Sequence, residues 1–199
     1  MNDTRKKILK ASLDIFSEKG YDGTNLNEIA EKCGIVKSAL YRHFKSKEEI
    51  IDTLINNITE YYNKKFGAVN NMPDIPNSCD EFVDMVMRMV RFTINDEQII
   101  KARKFITLEQ FRDERAIKLA TMHFLTDLQL IFSRIFDGMM KNGSIKENNT
   151  EILAFSFATP ISALIHLCDR EPDKKEVALK DIEKFIKHFV SVYGNEKDI

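Results

Sequence analysis

The sequence predicts an all-α protein, with three helices in a small N-terminal head and six in a larger body. Three observations carry this prediction. In 199 residues there are only seven glycines and four prolines, few for a β-rich or disordered chain. Apolar residues recur at three- and four-residue spacing in segment after segment, and no stretch alternates convincingly as a half-buried strand does. Two short helical patterns also meet at a glycine within residues 24–47, which is the pattern of a helix-turn-helix.

The head reads as follows. Residues 3–19 form an amphipathic helix with Ile8, Leu9, Ser12, Leu13 and Phe16 as its buried stripe and Gly20 as its stop. Its basic start, Arg5-Lys6-Lys7, points outward, either to phosphate or simply to solvent. Thr24 is placed to cap a first short helix carrying Leu26, Ile29 and Ala30 on one face. Gly34 breaks that run at little conformational cost, and Cys33 beside it is expected to be buried. A second short helix follows Ile35, with Leu40 and Phe44 facing inward at i, i+4. Ala30, four residues before Gly34, is small enough to let the two helices cross closely. Val36 precedes the second helix and has no side-chain acceptor to cap it.

Ser46 caps a fourth helix through about residue 66, with Ile50, Ile51, Leu54, Ile55, Ile58 and Tyr62 at helical spacing. Asn70-Asn71, Pro73 and Pro76 mark a break over 67–78. Helices are then expected over 79–94 and 97–111, the latter capped by Asn95-Asp96. A long helix over 114–141 is capped by Asp113 and ended by Asn142-Gly143. An eighth runs over 150–168, capped by Thr150 and interrupted by Pro160, and a ninth over 174–193. The eighth, I-L-A-F-S-F-A-T-P-I-S-A-L-I-H-L, is apolar nearly all round and must be covered on two sides. Ala158, Ser162 and Ala163 are small enough for another helix to approach.

Charge decides little by itself. The formal net charge is −1, with ten basic against eight acidic residues in the first fifty and the excess reversed thereafter. No apolar signal-peptide region is evident, and by inspection no run is fit to span a bilayer, so a cytoplasmic location with reduced cysteines is expected. None of the three cysteines forms a C-x-x-C pair. There is no phosphate-cradling glycine loop, no nucleophile elbow and no Glu-x-x-His for a di-iron bundle, so neither an enzyme nor a metal or cofactor is expected.

The stretch T-N-L-N-E-I-A-E-K-C-G-I-V-K-S-A-L-Y-R-H-F-K-S-K-E resembles the N-terminal domain of the TetR family of bacterial transcriptional regulators. Thr24, Ile29, Ala30, Gly34, Ile35, Lys37, Leu40, Tyr41, His43, Phe44, Lys47 and Glu48 carry the resemblance. Val36 departs from the Ser or Thr usual there. Over the rest of the chain the likeness is one of length and helical layout. It implies a DNA-binding domain over 1–46 and a ligand-binding and dimerisation domain over 47–199.

In a helix-turn-helix the second helix enters the major groove. Lys37, Ser38, Ala39 and Arg42 are its outward positions. Lys37 and Arg42 suit guanine edges, and Ala39 suits a thymine methyl. The resemblance places Thr24, Tyr41, His43 and Lys47 on the phosphate backbone. In the body, all but one of the eight methionines and all but two of the fourteen phenylalanines lie beyond residue 50, a composition suited to an adaptable apolar pocket or simply to a core. As the resemblance favours the pocket, Tyr62, Met85, Met89, Phe92, Phe105, Leu108, Phe111 and Met122 are its candidate lining, with Glu109, Gln110 or His123 as polar contacts. A homodimer through the last two helices, a palindromic operator and a small-molecule effector that releases a repressor complete the implied picture. The alternative is a DNA-binding scaffold whose body binds a protein and holds no effector pocket.

Overall fold

The computed structural model describes residues 3–66 and 74–195. Among them the chain is all-α, with an N-terminal helix-turn-helix and a helical body. The helices are α1 (Asp3–Lys19), α2 (Leu26–Lys32), α3 (Lys37–Tyr41), α4 (Lys47–Phe66), α5 (Cys79–Asn95), α6 (Glu97–Glu109), α7 (Glu114–Thr121), α8 (Asp127–Lys141), α9 (Thr150–Arg170) and α10 (Lys175–Tyr193). Of the expected break, residues 67–73 lie outside the described residues. The single long helix expected over 114–141 is divided by a π-helical turn over Met122–Thr126. Such a turn widens the helix locally without ending it, so apolar periodicity passes over it.

The chain gathers into two compact units. The first holds α1–α4 together with α6 and α7; the second holds α5, the π-turn, α8, α9 and α10. In the first, α1 buries the expected stripe and also Ala11 and Ile15, because α6 covers a second side of it. Phe105 of α6 stacks on Phe16 with ring centroids 5.7 Å apart, and Lys101 donates to Asp14 at 2.5 Å. Together Lys101 and Lys32 hold the Asp14 carboxyl below its ordinary range although partial burial opposes them.

The second unit is built on a phenylalanine cluster. Phe157 of α9 lies within 4.7–5.8 Å, centroid to centroid, of Phe82, Phe132, Phe136, Phe185 and Phe189. Gly138 makes room beside it: a Cβ there would stand 2.7 Å from Cγ2 of Ile75. Cys79 and Cys168 are packed in this core, and neither is joined in a disulfide.

Several local expectations are corrected. Asn25, not Thr24, caps α2, accepting from the Asn27 N–H at 2.8 Å. Asn149, not Thr150, caps α9, accepting from Ile152 N–H at 3.0 Å. Cys33 is half-buried rather than buried. Helix α9 continues through Pro160, which lies with Ser156 on the exposed side, where water can meet the carbonyl that proline leaves without a donor. Ala158 is buried in the unit's own core, so it is not open to a partner helix. The view that no run could span a bilayer is also corrected: α9 is 21 residues long and contains an 18-residue window of mean hydropathy 1.5, enough by length and composition. Its Leu153, Ala154, Phe157, Ala158 and Ile161 nonetheless pack into the second unit's core.

Candidate nucleic-acid interface

The turn between α2 and α3 is made by Gly34 at φ +67°, a left-handed conformation that glycine adopts without strain. Ala30 is buried beneath it, and its carbonyl accepts from the Ile35 N–H at 3.0 Å. Leu40 and Phe44 are fully buried and fasten α3 from within. Four of the expected DNA contacts, Lys37, Ser38, Tyr41 and Arg42, lie exposed on the other side, while Ala39 and His43 are half-buried. The Lys37 ammonium sits 6.0 Å from the Tyr41 ring centroid. Val36 makes no capping hydrogen bond, as its side chain dictates.

Arg5 belongs to this architecture in a way the sequence did not indicate. Its guanidinium donates to the His43 carbonyl at 2.7 Å, approaches Glu49 at 3.3 Å and lies 4.1 Å from the Phe44 ring centroid. It braces the end of α3 instead of reaching outward as part of a basic face.

Two residues expected on phosphate are engaged internally. Thr24 is buried, and its hydroxyl donates to the Gly20 carbonyl at 2.7 Å. The Lys47 ammonium donates to the carbonyls of Tyr21 at 2.6 Å and Thr24 at 2.9 Å, and stands 4.1 Å from the Tyr21 ring centroid. Tyr21 in turn donates its phenol to Glu48, and burial with that carboxylate pushes the phenol above its ordinary range.

The candidate effector residues divide between the units. Tyr62, Phe105, Leu108, Glu109 and Phe111 lie in the first; Met85, Met89, Phe92, Met122 and His123 lie in the second. Leu108 is 44% exposed and Phe111 85% exposed, and Phe105 and Glu109 are packed against the α1 side of their unit. Within the second unit a cleft of about 260 Å³ opens between the π-turn, α8 and α9, lined by Phe124, Leu128, Gln129, Ser162, Ala163 and His166 among others. None of the expected effector residues lines it. Its sequence signal was the small pair Ser162-Ala163 opposite Phe124, which sets its ring edge-on to His166 at 4.6 Å.

His123, inside the π-turn, is buried, and burial holds its pKa down to about 4. Its Nδ1 is 3.6 Å from Asp127, whose carboxyl burial pushes upward. At neutral pH the imidazole is therefore uncharged. In the unfolded chain it takes up a proton near pH 6.5, so acid favours unfolding between that pH and about 4. The expected loss is about 2 kcal/mol from pH 7 to pH 5, which the raised Asp127 partly offsets. Denaturation of the wild type and of His123→Leu at both pH values checks this, since the variant should lose the histidine part of the dependence. An identical dependence in the two proteins would contradict it.

Against known proteins, residues 8–54 match the family model described as bacterial regulatory proteins, tetR family. An HTH-type transcriptional regulator of Bacillus subtilis, YerO, is 45% identical over 62 residues, 31% of this chain and 20% of that protein. The negative transcriptional regulator IcaR of the biofilm operon in Staphylococcus epidermidis is 41% identical over 58 residues, 29% of this chain and 31% of its own length. The matches thus span a third or less of these relatives. In fold, the chain is similar to a triclosan complex of SmeT, the Stenotrophomonas maltophilia efflux-pump repressor. That likeness has a TM-score of 0.74 at 18% identity and covers 100% of this chain and 95% of that one. The head is matched by sequence to the family model of bacterial regulatory proteins, tetR family, and the full helical layout is matched by fold.

Proposed function

We propose that the protein is a sequence-specific DNA-binding transcriptional regulator, not an enzyme, working in the cytoplasm as a homodimer on a palindromic operator. One arrangement supports this most: a five-residue helix, fastened from within by Leu40 and Phe44, that turns Lys37, Ser38, Tyr41 and Arg42 outward. Lys37 and Arg42 carry the donors that guanine edges accept, Ala39 offers a methyl, and Tyr41 and His43 suit phosphate. Residues 1–46 form the DNA-binding part and 47–199 the ligand-binding and dimerising part. Thr24 and Lys47 contribute by shaping the loop before α2.

Repression relieved by a small molecule is the regulatory mode we assign. The relative IcaR is named a negative regulator, and SmeT is known as a complex with triclosan. An effector acts by population shift: it must bind more tightly to the form whose reading helices no longer fit two half-sites. His123, Met85, Met89, Phe92 and Met122 remain the candidate effector contacts in the second unit. Footprinting of the upstream region, with and without candidate ligands, tests the proposal; no protected site would end it. The solvent-facing Phe111 favours a second reading, in which the body docks a protein instead of a small molecule.

For base reading, Arg42→Ala is expected to relax preference at one base pair per half-site, a loss of about 1–3 kcal/mol of discrimination. Site selection from a random library reads this directly. An unchanged consensus would remove Arg42 as a reader.

A further inference from the structure

We infer that Glu109 is a positioning residue for the DNA-reading helices, although it lies at the far end of α6 and 88 residues from its partner. This rests on the proposal that α2 and α3 contact DNA. Glu109 is buried, and its Oε1 accepts the Tyr21 N–H at 2.8 Å. A carboxylate at the C-terminal end of a helix meets the negative end of the helix dipole, and its burial adds desolvation. Neither α6 nor the core gains from it, so its value lies in what it holds.

It holds the loop that feeds the helix-turn-helix. Gly20 is left-handed at φ +73°, and a Cβ there would stand 2.6 Å from the Glu109 oxygen. Glycine is thus required twice, for its backbone conformation and for the room the carboxylate needs. On the other side, Lys47 of α4 donates to the Tyr21 and Thr24 carbonyls. The N–H and C=O of Tyr21 are therefore gripped by opposite charges from two helices. Helix α6 delivers its half on one face, where Lys101, Phe105 and Glu109, spaced by four, meet Asp14, Phe16 and Tyr21 in turn. At the α6–α7 corner Arg115 joins Asp113 to Asp52 of α4, and these partners push the guanidinium pKa upward. Helix α6 is thus tied to the loop before α2 by a short, charged linkage.

The test uses the full-length protein with Glu109→Ala and Glu109→Gln. Amide exchange is followed by mass spectrometry over residues 20–44 and, as a control, over 127–190. Affinity is measured for the operator selected by the wild type, with titration to count the active fraction. Losing a charge-assisted hydrogen bond predicts about tenfold faster exchange over 20–44 and about tenfold weaker operator binding in Glu109→Ala. The control segment should be unchanged, and so should the salt slope, because Glu109 neutralises no phosphate. Glutamine, which can still accept the Tyr21 N–H, should recover most of both. Unchanged exchange over 20–44, or faster exchange through the whole of both units with no recovery by glutamine, would overturn the inference. If the wild type selects no DNA, the proposed function fails instead, and exchange over 20–44 in Glu109→Gln and Lys47→Met alone decides whether the loop is gripped from both sides. Should Glu109→Ala not fold, exchange in the same pair of variants decides it.

Discussion

Phe157→Ala is expected to lower stability by about 4 kcal/mol, the largest effect of any single truncation in the second unit. The ring is fully buried and is the common neighbour of Phe82, Phe132, Phe136, Phe185 and Phe189. Removing it deletes its transfer free energy and leaves a void that the surrounding rings, rigid and already in contact with one another, are poorly able to fill. Domains of ordinary stability have only about 5–15 kcal/mol in all, so the variant should sit near the edge of folding. Phe157→Leu keeps most of the volume and should lose about half as much or less. Urea denaturation followed by circular dichroism measures both. A loss below about 1.5 kcal/mol for alanine would mean that the cluster relaxes, against the close packing argued for it.

For the homodimer proposed above, Phe155→Glu is expected to give a monomer and to weaken binding to the selected operator about a hundredfold or more, because the two heads would no longer be linked. On α9 the residues Ile152, Phe155, Ser156, Thr159, Pro160 and Ala163 are all exposed, and their spacing of three and four puts them on one face. Ile152 is 64% exposed and Phe155 54%, an apolar stripe with small residues between that suits a second copy across a two-fold axis. As Phe155 contributes nothing to its own core, the variant should keep its helical content, which separates lost assembly from lost folding. Light scattering at micromolar concentration and fluorescence anisotropy on the operator provide the readouts. A dimeric Phe155→Glu would move the interface away from α9, and a monomeric wild type would end the dimer proposal.

The helix-turn-helix was legible because its determinants are local. Leu40 and Phe44 are one turn apart, Gly34 takes the positive φ that only glycine reaches cheaply, and Val36 has nothing with which to cap. All three facts hold whatever the rest of the chain does. Cap positions were legible only to within one residue. Thr24 and Asn25 can both cap, as can Asn149 and Thr150; Thr24 lost the role because its hydroxyl found the Gly20 carbonyl. The π-turn at Met122–Thr126 was not read from the sequence, because it continues the helix and helical spacing by itself does not announce an i→i+5 turn.

By itself, then, the sequence determined the helical class, the order of the elements, the turn at Gly34 and the outward side of α3 at Lys37, Ser38 and Arg42. Each depends on residues within one or two turns of one another. Only the tertiary structure decided that α6 covers a second side of α1, that Lys47 and Arg5 point into the protein, and that Glu109 is buried on the Tyr21 amide. Hydropathy measures how strongly a residue leaves water, not which surface receives it. For a charged residue it predicts exposure, and it fails where a distant backbone N–H or carbonyl supplies the hydrogen bond that burial requires.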